Sequence, residues 1–104
     1  MSACKQLNLY KEEKIMVSID PERNRYRAYS VELDKTREPM TITKKWGRVE
    51  NRKGKWQLRN NAWQGEKEEE IPEDLDDFDA EDIWNQIVEM KQKRGYVDYS
   101  ELVF

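Results

Sequence analysis

Residues 15–33 read IMVSIDPERNRYRAYSVEL, from Ile15 to Leu33, and their pattern decides the fold class. Ile15-Met16-Val17-Ser18-Ile19 alternates with a period of two, which puts Ile15, Val17 and Ile19 on one face of an extended strand. Asp20-Pro21-Glu22-Arg23-Asn24 is a turn cluster in which proline pre-sets the backbone. Residues 25–33 then form a second run rich in β-formers, with Tyr29, Val31 and Leu33 sharing a face. Two such runs across a short turn predict an antiparallel hairpin.

Working outward, a second turn at residues 34–39 leads into residues 40–49. Their alternation sets Met40, Ile42, Lys44, Trp46 and Arg48 on the same side. Asn51-Arg52-Lys53-Gly54 is a turn signal, and residues 55–59 are expected to return antiparallel. On the other side, Leu7-Asn8-Leu9-Tyr10 fits either a further strand or an ordered arm. Residues 66–74 show no apolar periodicity, so an acidic, solvated loop is expected over 66–79.

A helix should follow. Ala80, Ile83, Trp84, Ile87, Val88 and Lys91 recur at the spacing of one helical stripe, which makes Trp84, Ile87 and Val88 core residues. Asp79 fits the N-cap and Gly95 the residue after the C-cap, with Lys91, Lys93 and Arg94 in the last turn, where the helix dipole favours cations. Residues 96–103 alternate once more and suit an edge strand, while Trp56 and Trp63 read as partly buried strand residues. There is no internal repeat. The expected fold class is α+β: an antiparallel sheet of about five strands with one α-helix packed on one face. A chain of 104 residues is expected to form a single domain over residues 1–104, with a core at about 14–96.

Charge is unevenly placed. The net charge is −3, yet eleven of the 22 acids fall within residues 66–82, against one lysine there. The rest of the chain carries the other eleven acids against eighteen bases, so a basic body bears one acidic segment. No apolar run is long enough to span a bilayer and the first residues lack the apolar stretch of a signal peptide, so no membrane partner is expected. The lone Cys4 rules out an internal disulfide and points to a reducing compartment, the cytoplasm; it reads as a thiol without a role. A monomer is expected.

The inventory of reactive groups argues against catalysis. Without histidine, the commonest general base and the commonest metal ligand are both missing. One cysteine cannot build the usual zinc sites or a Cys–His nucleophile pair. Gly54-Lys55 lacks both the earlier glycine and the following hydroxyl residue of a phosphate-binding loop, and the acidic segment lacks EF-hand spacing. No enzyme activity, cofactor or metal is therefore expected.

Lys44-Lys45-Trp46-Gly47-Arg48-Val49 is the informative segment. Its cations can neutralise phosphates and its indole can stack on a base or sugar. Glycine beside the indole lets a ligand or another backbone approach closely. On pattern alone, Trp46 could equally be a core residue with the charges on a solvated edge.

Trp46-Gly47-Arg48-Val49 follows the block Asp20-Pro21-Glu22-Arg23-Asn24-Arg25-Tyr26-Arg27-Ala28-Tyr29 and precedes Lys91-Gln92-Lys93-Arg94-Gly95-Tyr96. In that order and spacing the three blocks resemble the WGR domain family, over roughly residues 14–96. The resemblance implies a compact domain of antiparallel strands with one helix. WGR domains occur in DNA-damage-dependent poly(ADP-ribose) polymerases and as bacterial modules, sometimes alone. It implies Trp46 as a residue packing against a sugar at a DNA end, and Arg48 as a domain- or partner-contacting residue. No part of the chain resembles the polymerase catalytic domain, so ADP-ribosylation is not implied. Glu50 stands where many relatives carry glycine, and the segment between Trp56 and the helix is longer and more acidic than in the family. The expected nucleic-acid contacts are Trp46, Gly47, Arg48, Lys44, Lys45, Asn24, Arg25, Lys91 and Arg94, with DNA the favoured partner. The alternative is a protein partner docked by the 66–82 segment or by the Arg48 face.

Overall fold

A computed structural model describes residues 11–58 and 61–102. Residues 7–10 and Cys4 lie outside the described residues, so the choice between strand and arm does not arise. The chain folds as a five-stranded antiparallel sheet with one helix, an α+β arrangement. The sheet strands are β1 (Lys11–Asp20), β2 (Arg25–Asp34), β3 (Thr41–Arg48), β6 (Trp63–Glu70) and β7 (Val97–Asp98), in the spatial order β6-β3-β2-β1-β7. Between β3 and β6 a separate two-stranded hairpin forms from β4 (Glu50–Arg52) and β5 (Lys55–Gln57). The helix is α1 (Asp77–Lys93). Among the described residues no helix is long and apolar enough to cross a membrane.

The founding hairpin is present, with β1 and β2 paired from Lys11 with Asp34 to Asp20 with Arg25. Pro21–Arg23 forms one 3₁₀ turn between them, and Asn24 takes the left-handed conformation at φ 53° that asparagine tolerates better than most residues. Register shows why both apolar stripes of this hairpin are needed. Met16 stands opposite Tyr29, so Met16, Tyr29, Val31 and Leu33 form one face, while Val17 and Ile19 look the other way. The sheet therefore has two apolar faces, each with its own cover.

On one face α1 seals Met16, Val31, Leu33 and Ile42 with Ala80, Val88, Ile83, Trp84 and Ile87, as the helical stripe predicts. The Trp84 indole N–H donates to the Val31 carbonyl at 3.1 Å, tying helix to sheet at a point where an orphaned donor would be costly. On the other face Val17, Ala28 and Val49 are covered by Trp56, Leu58, Trp63 and Tyr99. Trp56 stacks on Tyr26 with ring centroids 5.9 Å apart and accepts the Tyr99 hydroxyl on its carbonyl at 3.3 Å. The β4–β5 hairpin is thus pinned by its tryptophan.

Two expectations are corrected. Residues 66–70 are not loop but belong to β6, which pairs with β3 from Thr41 with Glu70 to Gly47 with Trp63. The acidic strand forms because its partner is cationic: Lys44 Nζ lies 2.7 Å from Glu69, Lys45 3.9 Å from Glu66, and Arg37 in the preceding turn 3.0 Å from Glu68. Opposite charges across a strand pair supply what apolar alternation lacks, and a charged edge also resists pairing with other chains. The helix begins earlier than expected. Asp76 is the N-cap and accepts the Asp79 N–H at 2.9 Å, while the Asp79 carboxylate reaches back to the Asp76 N–H at 3.2 Å. Asp79 is the third residue of the helix and closes the capping box, and is not the N-cap.

The C-terminal end of α1 is as expected. Gly95 adopts φ 97°, and its N–H donates to Gln92 while that of Tyr96 donates to Lys91, both at 3.1 Å. This Schellman closure folds Tyr96 back beside Lys91. The edge strand expected over residues 96–103 is cut back to β7, which pairs only with Met16 and Val17, and Tyr99–Leu102 forms a 3₁₀ helix instead.

Candidate nucleic-acid interface

The helix covers only part of its face of the sheet. At the end where β2 begins and β3 finishes, the sheet runs on beyond α1, and strand parity fills the uncovered part. Arg25 and Arg27 share a face with Tyr29, and register puts Arg27 opposite Arg48 and Tyr29 opposite Trp46. These side chains, with Asn24, Lys91 and Tyr96, line a concavity of about 730 Å³.

Trp46 is one of its lining residues and is 43% exposed, which is unusual for an indole in the middle of a sheet. Its partner across the strands is Gly65, and a side chain built there would overlap indole atoms Cε2, Cζ2 and Nε1. The ring therefore rests on bare backbone at Gly65, with Tyr29 opposite it on β2. Gly47 answers a different need. A Cβ there would overlap the Ala62 carbonyl, the same oxygen that accepts the Arg48 N–H at 3.2 Å. Between them the register slips, with Trp46 opposite Gly65 but Gly47 opposite Trp63, so Gln64 is bulged toward the concavity.

Lys91 reaches the site from the last turn of α1. Its ammonium sits 4.2 Å from the Tyr29 ring centroid and 5.4 Å from that of Tyr96, and the two rings meet edge to face at 6.2 Å. This cation–π seat holds the charge over aromatic faces. Burial, followed by the neighbouring charges of Arg94, Lys44 and Arg27, pushes the Lys91 ammonium below the usual lysine range. Burial, then Glu69 and Tyr96, raises the Tyr29 phenol, which stays neutral. Among the described residues, none of Arg25, Arg27, Arg48 and Lys91 forms an ion pair with a carboxylate. Cations crowded together without counter-charges raise the local potential, and an incoming anion relieves it.

The expected contact residues divide. Trp46, Gly47, Arg48, Asn24, Arg25 and Lys91 all line the concavity. Lys44 shares the face but is held by Glu69 just outside it, and Arg94 caps the helix close enough to depress Lys91. Lys45 does not belong: it shares the opposite face with Ala28 and Gly47, where Glu66 pairs with it, because adjacent strand residues point to opposite sides. Arg27, Tyr29, Gln64 and Tyr96 join the site without being expected there. The alternation Arg25-Tyr26-Arg27-Ala28-Tyr29 carries the signal for Arg27, since it sets both arginines beside Tyr29. Comparison of the chain with protein-family models, with curated proteins and with solved structures finds no match.

Proposed function

We propose that the uncovered end of the sheet binds nucleic acid without catalysis, DNA being the favoured form, as a module of WGR type. The observation that carries this reading is the coincidence, on one platform, of Arg25, Arg27, Arg48 and Lys91 without carboxylate partners among the described residues and a supported, half-exposed Trp46. Cations alone would suit any anion. An indole among them suits an anion that also carries flat rings or sugars, which is the chemistry of a nucleotide chain. The resemblance of residues 14–96 to WGR domains supports the same assignment. Under this reading the working compartment is the cytoplasm, where a lone cysteine stays reduced.

The test is a fluorescence-anisotropy titration of a short, blunt, labelled duplex at several salt concentrations. Binding should weaken with salt, with a slope of log K against log salt of about −0.9 for each phosphate neutralised. Trp46→Ala should cost about 1–3 kcal/mol of binding, the worth of one stacked contact. No binding by the wild-type chain at low salt would falsify the proposal.

A further inference from the structure

We infer that the β4–β5 hairpin is a second backbone contact for the nucleic acid held on the platform, and that the ligand is double-helical; the inference rests on the reading proposed above. The hairpin tip is Arg52-Lys53-Gly54-Lys55. Arg52 and Lys55 stand directly opposite each other in register, an arrangement of like charges that weakens a strand pair. Lys53 occupies the first central position of the turn at φ 54°, followed by Gly54 at φ 83°, where asparagine, aspartate or glycine is the usual choice. The turn does not use these charges, since the Asn51 side chain accepts the Gly54 N–H at 3.1 Å and Trp56 anchors the ribbon. Among the described residues, none of Arg52, Lys53 and Lys55 has a carboxylate partner. A tip that gathers exposed cations against its own folding preference suits an anion outside the chain.

The tip is continuous with the platform. Arg48 and Tyr26 line both the platform and a second concavity of about 880 Å³, which Arg52 and Trp56 also line. Arg52 in turn borders a third with Lys53 and Lys55. Glu50 is the carboxylate in the second of these, so the strip is basic but not uniformly so. The strip passes around the end of the sheet, because the platform lies on the helix face while the hairpin packs on the other. A ligand touching both must present phosphates to two sides of that end. The two phosphate rows of a duplex do so, and a groove of about 12 Å admits a two-stranded ribbon.

The experiment compares wild type, Lys53→Gly and the double variant Arg52→Gln/Lys55→Gln on a duplex of about 20 base pairs, roughly two helical turns, and on a single strand of equal length. Lys53→Gly relieves the left-handed backbone, so its Tm should rise while duplex affinity falls several-fold. A purely structural hairpin would not separate the two in that direction. The salt slope of either variant should become shallower by about 0.9 for each phosphate it no longer neutralises. Variants with wild-type affinity and slope, on a duplex that the wild type binds, overturn this inference and leave the platform standing. A single strand held as tightly as the duplex overturns the double-helical ligand. A wild-type chain that binds neither probe at low salt overturns both readings.

Discussion

Two glycines flank the geometry of Trp46, and the same substitution at each should have opposite consequences. At Gly47 an added methyl group would overlap the Ala62 carbonyl, a backbone atom that can move only if β3 and β6 separate locally. Gly47→Ala is therefore expected to destabilise the fold by about 1–3 kcal/mol or more, the usual range for overpacking, read as a lowered Tm. At Gly65 the obstacle is the Trp46 ring, which can swing away as a side chain. Gly65→Ala should melt near the wild type yet lose duplex affinity as Trp46→Ala does. A Gly65→Ala protein with full affinity would show that the resting place of the indole is irrelevant to binding. Lys91 obeys a similar logic, since its position comes from two tyrosine rings and not from a carboxylate. Under the proposed reading a phosphate can reach it, because among the described residues no carboxylate pairs with it.

Strands and helix were legible from sequence where a period of two or 3.6 was carried by apolar side chains. Residues 25–33 and 40–48 and the stripe from Ala80 to Lys91 all meet that condition, and each is an element of the structure. β6 was legible only at Trp63, because its acidic residues 66–70 are held by Lys44, Lys45 and Arg37 on other segments, and a single-segment pattern does not contain its partners. Site residues divide the same way. Arg25, Trp46 and Arg48 follow from their own strands, and the parity of β2 sets Tyr29 beside them, whereas Tyr96 joins only because the Schellman turn folds it back against Tyr29. One contact between elements has a titratable consequence. Lys35 is almost fully enclosed and lies 3.1 Å from Glu81 on α1, and the charge of the same Glu81 acts on Glu12 of β1. Burial, then repulsion from Glu81, raises Glu12 above the usual carboxylate range, with Lys35 opposing. A raised carboxyl binds its proton more tightly folded than unfolded, so its contribution is fully present below the unfolded pKa and is lost as pH rises through the folded one. Glu12→Gln should thus raise Tm at neutral pH and leave it nearly unchanged at a pH below the ordinary glutamate range. Thermal melts at the two pH values check the sign: an equal shift at both, or a loss at neutral pH, excludes a raised Glu12 carboxyl.

Along the helix the charges separate into two poles. α1 starts among Asp76, Asp77 and Asp79 and ends with Lys91, Lys93 and Arg94, about 25 Å away at 1.5 Å per residue. Strand register puts Glu70 level with Thr41 at the acidic end and Arg27 level with Arg48 at the basic end. Net charge of −3 therefore says little about what the basic pole can bind. The poles meet at Glu69, which holds Lys44 at 2.7 Å on the same face as the platform. The Lys44 hydrogen bond and charge draw the Glu69 carboxyl below its ordinary range, so it stays ionised at neutral pH and offsets the cation just outside the platform. Glu69→Gln removes that negative charge while keeping the shape and a polar group for Lys44. Duplex affinity at low salt should rise several-fold, and the salt slope should steepen by about 0.9 if the released Lys44 takes a phosphate. Glu73→Gln, in the loop before α1, is the control, since the same change in net charge there should leave affinity within about twofold once salt screens charges more than about 10 Å away. Equal gains from both substitutions would mean that net charge, and not the Lys44 pair, sets the affinity. No gain from Glu69→Gln would mean that the acidic strand stabilises the sheet without restraining the platform.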